Sequence, residues 1–216
     1  MRPRIALLAD ASFAIREMRM AARQLGIMGL HSHFWKREMP ALSNRQSALK
    51  PQDLYVLLAL LSRGSGSHNY QGLADQTGMA VSAVHASLKR AVAARLVSLQ
   101  ERRPVVLKAP LREFLIHGAK YAFAPVWGPL ARGVPTGYAA APLNTRIAPS
   151  GDPPPVWPYA KGTVRGLSLA PLYPAVPGAA LRDEKLHALL SLFDAVRAGQ
   201  AREREAALQL IEPYFE

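Results

Sequence analysis

Apolar residues recur at helical spacing in three successive stretches between residues 51 and 95. The first, residues 51–62, has leucines at positions 54, 57, 58 and 61, the three-and-four spacing of a buried helical stripe. Pro51 suits the first turn of a helix, where the N–H that proline lacks has no partner. A second, short helix is predicted over residues 70–77, with Asn69 as its cap and Gly78 as its end.

A third helix is predicted over about residues 80–95, and a strand hairpin follows it. The inward stripe of the third helix is Val81, Val84, Leu88 and Val92. Apolar residues then alternate over residues 97–99 and 105–107, on either side of a polar stretch, which predicts a two-stranded wing over 97–108 with Arg102 and Arg103 at its tip. Three helices and a basic wing in this order are the layout of a winged helix-turn-helix.

Four polar side chains lie off the inward stripe of the third helix: Ser82, His85, Lys89 and Arg90. A helix-turn-helix places the N-terminal part of this helix in the major groove of duplex DNA. We therefore predict base contacts for Ser82 and His85 and phosphate contacts for Lys89 and Arg90. Arg102 and Arg103 of the wing are predicted to meet the DNA backbone or the adjacent minor groove.

The stretch Leu73-Ala-Asp-Gln-Thr-Gly-Met79, followed by Val84, Leu88-Lys-Arg90 and Leu96-Val97, resembles winged-helix bacterial regulators of the MarR-like kind. The resemblance covers about residues 50–120. Such proteins commonly have a Ser or Thr cap before the recognition helix, where this chain has Ala80, and a longer polar side chain where it has Ala86. These two departures predict a weaker helix start and one base-reading group fewer.

The charge distribution favours the same class of partner. The chain carries 27 basic and 15 acidic residues, a formal net charge of +12, and a polyanion is its natural counterpart. Residues 1–50 hold nine basic and three acidic residues, and residues 51–120 hold nine and four. The last 38 residues, 179–216, hold five and seven. The DNA-binding face is therefore predicted in the first half.

The segment of residues 121–178 has a different composition, with 12 prolines and seven glycines. We predict an extended, largely irregular arm whose aromatic residues dock either on its own domain or on a partner protein. Residues 179–216 return to helical spacing, with one helix predicted over about 180–198, ended by Gly199, and a second over 201–211. Two consecutive helices of this kind predict a C-terminal helical hairpin.

The first 48 residues allow three interpretations. The apolar residues from Leu7 to Leu25 have the spacing of a seam between two helices, which favours a dimerisation helix. The alternatives are an extension without a role of its own and, from its arginines, an organelle-targeting segment. The predicted organisation is thus an extension (1–48), a winged helix-turn-helix domain (49–120), the arm (121–178) and the hairpin (179–216), in a fold that is mainly α with a small β wing.

No catalytic constellation is found in the sequence. The chain has no cysteine, and Ser168 lacks the second glycine of a hydrolase elbow because Ala170 occupies that position. His31 and His33 lack the further ligands that a metal site requires. We therefore predict no enzyme activity, no cofactor and no metal. We also predict no membrane partner, because no apolar run reaches the ~18 residues of a bilayer span.

The predicted function is sequence-specific binding of double-stranded DNA by a cytoplasmic, nucleoid-associated transcriptional regulator. A homodimer is expected because two-fold symmetric proteins match palindromic sites. The alternative is an antitoxin or adaptor whose residues 121–216 bind a partner protein, with or without DNA binding at its own promoter.

Overall fold

Helices predominate over strands in this protein, and a small three-stranded sheet lies in its second half. The computed structural model describes residues 48–64, 69–148 and 151–216. The predictions for residues 1–48, including the dimerisation helix and its alternatives, lie almost wholly outside these ranges. The mainly α character with a small β component agrees with the sequence-based expectation.

The first described helix, α1 (Pro51–Ser62), is the centre of the core. It begins with proline in its first turn, as predicted. Every residue from 53 to 61 is buried, not only the leucine stripe. The reason is that α1 packs against neighbours on more than one side, including both the following helices and a helix near the C terminus.

Helices α2 (Tyr70–Thr77) and α3 (Val81–Ala93) follow, close to the predicted bounds. The side chain of Asn69 accepts a hydrogen bond from the Gly72 N–H at 2.7 Å and caps α2. Gly78 ends α2 with φ 66°, a left-handed conformation that glycine adopts without steric cost. The turn between the two helices is therefore determined by local sequence.

The predicted hairpin is present, with a tighter turn than expected. Strands β1 (Val97–Gln100) and β2 (Arg103–Val106) pair antiparallel, and Gln100 lies opposite Arg103. The turn is made by Glu101 and Arg102 alone, with φ 48° and 64°. Positive φ at both central residues gives a turn whose twist matches that of the two strands.

A helical connection leads from the hairpin to the sheet. It consists of α4 (Lys108–Glu113), a π-helical turn (Phe114–Gly118) and α5 (Ala119–Ala122). Arg112 of α4 forms an exposed ion pair with Glu212 near the C terminus. This pair is at the surface and contributes little to stability.

The prediction of a largely irregular arm over residues 121–178 is wrong. Strands β3 (Trp127–Pro135), β4 (Pro155–Pro158) and β5 (Val164–Leu169) each pair with the other two. Several prolines lie at strand ends, and Pro129 lies where the register between β3 and β5 shifts, so few ladder N–H groups are missed. Short 3₁₀ turns at Gly137–Ala139 and Leu143–Thr145 separate β3 from β4.

Two glycines make the close approach of these strands possible. A Cβ atom on Gly133 would collide with the backbone carbonyl of Trp157, and one on Gly166 would collide with that of Pro154. The high proline and glycine content therefore serves a tight sheet rather than an irregular arm.

The chain ends in helices that complete the core. Helix α6 (Val176–Ala180) is short, and α7 (Glu184–Ala198) and α8 (Ala201–Ile211) form the predicted hairpin. Helix α7 starts later than predicted because the Asp183 side chain caps it at the Leu186 N–H. A last 3₁₀ turn follows at Glu212–Phe215.

Aromatic and polar contacts join the C-terminal segment to α1 and α2. The Tyr55 and Tyr173 rings stack with centroids 6.2 Å apart, and the Tyr55 hydroxyl donates to the Thr77 carbonyl at 2.8 Å. Burial raises the pKa of the Tyr55 phenol well above its usual value. Gln76 of α2 donates to Asp183 at 2.6 Å. Residues 121–216 therefore pack on the core of the first helices, one of the two placements that the sequence left open for the arm.

Candidate nucleic-acid interface

Three of the four polar residues predicted on α3 share its exposed face. Ser82, His85 and Lys89 are exposed, and their spacing of three and four places them on one side of the helix. Val84, Leu88 and Ala91 are buried on the other side, against α1 and α2. The buried stripe leaves the polar face of α3 facing solvent.

The fourth residue, Arg90, does not lie on that face, and the phosphate contact predicted for it is not available in this arrangement. Its guanidinium makes a two-point ion pair with Asp53 of α1, at 2.7 Å from Nε and 2.6 Å from Nη2. Hydrogen bonding to Asp53 raises the pKa of Arg90 above its usual value. The pair is structural: it neutralises a fully buried carboxylate between α1 and α3.

Helix α3 begins without a side-chain cap, as the alanine at position 80 predicts. Because Ala80 has no side-chain oxygen to accept from the first N–H groups of the helix, the positive end of the helix dipole is not offset by the preceding side chain. Val81, predicted to point inward, is 40% exposed instead. Val81 is the first residue of α3.

A shallow apolar cavity of about 170 Å³ is lined by residues of α2, α3 and β1. Its lining includes Tyr70, His85 and Leu99, and the Tyr70 and His85 rings lie 5.3 Å apart. Leu99 of β1 is 51% exposed. Tyr70 and Leu99 were not among the predicted site residues, although both are large apolar residues beside polar positions of the predicted interface.

The hairpin presents basic residues at its end. Arg102 occupies the turn, is exposed and has Glu101 as its neighbour. Arg103 is the first residue of β2 and is also exposed. Arg95, which follows α3 with φ 57°, is a further exposed basic residue that was not predicted as part of the site. The exposed cations of α3, the hairpin and the turn between them are thus Lys89, Arg95, Arg102 and Arg103.

Two polar side chains of the second half, Ser168 and His187, make contacts within the fold. Ser168 is buried, and its hydroxyl donates to the Pro129 carbonyl. His187 bonds to the Pro135 carbonyl at 2.8 Å and lies against the Trp157 ring. Over residues 48–64, 69–148 and 151–216, no group of three or more His, Cys, Asp or Glu side chains is arranged to hold a metal ion. His31 and His33 lie outside these ranges.

Comparison with known protein families, curated proteins and solved structures finds no match for this chain. The resemblance of residues 50–120 to MarR-like regulators therefore stays a prediction. In the described part of the chain, no helix combines the length and apolar character needed to cross a bilayer.

Proposed function

We propose that this protein binds double-stranded DNA through the exposed face of α3 and the β1–β2 hairpin, as a winged helix-turn-helix. The observation that carries the proposal is the arrangement of Ser82, His85 and Lys89 on one solvent-facing side of α3, next to a hairpin with Arg102 in its turn. The net charge of +12 supports a polyanionic partner.

In this proposal α3 enters the major groove with its N-terminal end first. Ser82 and His85 reach base edges, where a hydroxyl and an imidazole can exchange hydrogen bonds with the bases. Lys89, one turn further along, meets a phosphate, and Arg102 meets the backbone or the minor groove beside the hairpin. Arg90 takes no part, because its guanidinium is engaged by Asp53.

The exposed apolar residues at this face extend the proposal. Val81 at the start of α3 can contact a thymine methyl group, which is the apolar feature of the major groove. The biological role that fits is a transcriptional regulator that occupies a promoter site without catalysis. A homodimer would match a palindromic site, since its two recognition helices would be related by the same symmetry as the half-sites.

The electrostatic part of the proposal is tested with the double variant Lys89→Ala/Arg102→Ala. We expect weaker binding to every duplex, and a plot of log affinity against log salt that is flatter by about 0.9 for each phosphate that the variant no longer neutralises. Fluorescence anisotropy with labelled duplexes over a salt series measures both. The matched control, Lys185→Ala/Arg202→Ala, removes two exposed charges from α7 and α8 and should leave the slope unchanged.

The base-reading part is tested separately with Ser82→Ala and His85→Ala. Selection from a random duplex library should recover a defined motif with the native chain and an altered motif with each variant, because single base contacts contribute about 1–3 kcal/mol of discrimination. A motif that both variants recover unchanged would remove Ser82 and His85 from the interface. Recovery of no motif with the native chain would contradict sequence-specific binding.

A further inference from the structure

An exposed apolar strip runs along the paired strands β3 and β5. Its members are 37–50% exposed: Trp127, Leu130 and Leu167. Leu130 and Leu167 are cross-strand partners, which makes them neighbours at the surface. Contiguous large apolar side chains at a protein surface are typical of an interaction site.

The strip continues into a cavity of about 330 Å³, because Trp127 and Leu167 belong to both. The other walls come from the β4 side, where Pro153 and Pro155 contribute, and from Tyr138. The end of α7 and the start of α8 close the cavity. Two aromatic rings therefore line a concave site directly beside the exposed strip.

The charged lining of this cavity has one sign. It includes the carboxylates of Asp152, Asp194 and Glu203 and no Lys, Arg or His side chain, in a chain with net charge +12. Asp194 is neutralised by Arg197 at 2.8 Å. Glu203 accepts from the Gln200 N–H at 3.0 Å, which orients its carboxylate at the start of α8. Since Asp194 is buried and paired, the negative charge on which the inference rests is that of Glu203, and negative charge beside aromatic rings is complementary to a cation.

We propose that the strip and the cavity form a docking surface for a partner protein, whose contacting segment inserts a Lys or Arg side chain into the cavity and lays apolar residues on the strip. The strip extends the apolar surface beyond the cavity, which favours a polypeptide over a small organic cation. The proposed contacts are side-chain contacts: Trp127, Leu130 and Leu167 supply the apolar surface, and Glu203 supplies a carboxylate.

This surface goes beyond the proposed DNA binding and shares no residue with α3 or the hairpin. The partner chemistry is opposite to that of DNA: a basic segment, not a polyanion. One chain can therefore hold duplex DNA at one surface and a basic partner at another, and the two properties can be measured independently.

The experiment selects binders of the full-length chain from a random peptide library displayed on phage, and measures synthetic versions by isothermal titration calorimetry. We expect enriched peptides that combine Arg or Lys with adjacent apolar residues. Glu203→Gln should weaken their binding about tenfold, the effect of removing one charge-assisted hydrogen bond. Gln retains an acceptor for the Gln200 N–H, so the start of α8 is preserved.

Matched controls separate the site from general charge and hydrophobicity. Glu205→Gln removes the same charge from an exposed position of α8 outside the cavity lining and should leave affinity unchanged. Leu130→Ser should weaken binding, whereas Leu181→Ser, at a similarly exposed leucine outside the strip, should not. The double variant Lys89→Ala/Arg102→Ala should bind these peptides as the native chain does.

Three results would overturn the proposal. The first is no enrichment, or enrichment only of peptides without a basic residue. The second is equal binding of the selected peptides by the Glu203→Gln and Glu205→Gln variants. The third is competition by arginine amide as strong as that of a whole peptide, which would make the cavity a site for small cations instead of a protein-docking surface.

Discussion

Replacement of Asp194 by asparagine is expected to lower the free energy of unfolding by about 3–5 kcal/mol, the effect of breaking a buried ion pair. Asp194 is 2% exposed, and its Oδ2 accepts from Trp157 Nε1 and Thr136 Oγ1, both at 2.7 Å. Its Oδ1 accepts from Arg197 Nε at 2.8 Å. One carboxylate thus joins α7 to β4 and to the end of β3.

Asparagine has nearly the same shape as aspartate, so the expected loss of stability comes from removing the charge. Arg197 would remain buried without a carboxylate partner, and an amide N–H₂ cannot accept the bonds that Asp194 accepts. Arg197 also donates to the Ala170 carbonyl at 2.8 Å. If Arg197 lost its orientation, this hydrogen bond to the segment after β5 would be weakened as well.

Urea unfolding followed by circular dichroism measures this loss. Trp157→Phe removes one hydrogen bond without leaving a charge unpaired, so it should cost less than Asp194→Asn. Glu205→Gln should change stability by no more than about 0.5 kcal/mol, as is usual for a surface substitution. A loss below about 1 kcal/mol for Asp194→Asn would contradict a central role for this carboxylate.

Arg90→Ala is expected to lower stability and Lys89→Ala to weaken DNA binding, although the two residues are adjacent. Arg90→Ala leaves the fully buried Asp53 carboxylate without its cation and should cost about 3–5 kcal/mol of stability. The Lys50 N–H, which also donates to Asp53 at 2.8 Å, cannot compensate for the missing charge. Lys89→Ala removes an exposed side chain and should change stability by at most about 0.5 kcal/mol.

For DNA binding, we expect the larger effect from Lys89→Ala, the variant with the smaller effect on stability. At a temperature where both variants are folded, Lys89→Ala should flatten the salt dependence of duplex binding, and Arg90→Ala should leave its slope unchanged. Circular dichroism on heating and anisotropy over a salt series provide the two readouts. A flattened slope with native stability for Arg90→Ala would show that its guanidinium contacts phosphate after all.

The local rules of the chain predict the boundaries of several elements well. Pro51 in the first turn of α1, Asn69 as the cap of α2 and Gly78 as its end are all confirmed. Each of these features depends on hydrogen bonds and backbone angles within a few residues, which is why neighbouring residues are enough to predict them. The turn of the hairpin is also local, but Glu101 and Arg102 lack the glycine or asparagine that would have indicated it.

The direction of Arg90 could not be predicted in the same way. Helical spacing shows only that Arg90 lies off the main apolar stripe, and a position at the edge of that stripe can face either solvent or a neighbouring helix. Its partner, Asp53, is 37 residues earlier and stands in a helix predicted as an apolar stripe. Only the packing of α3 on α1 brings the two charges together.

The prediction for residues 121–178 was wrong for a related reason. Proline and glycine are usually signs of irregular structure, because they disfavour long regular elements. Here Gly133 and Gly166 permit strand contacts that a side chain would block, and that function depends on which strand lies opposite. The strand pairing is a tertiary property.

Sequence alone therefore determined the helices α1, α2, α3 and α8, the existence of the hairpin and the polar face of α3, since these follow from periodicity and capping. Tertiary structure decided the burial of α1 on all sides, the inward ion pair of Arg90, the sheet of β3–β5 and the acidic cavity beside its apolar strip. The physical reason is that burial, charge pairing and strand contact depend on residues far apart in the chain, and their energies exist only once those residues meet.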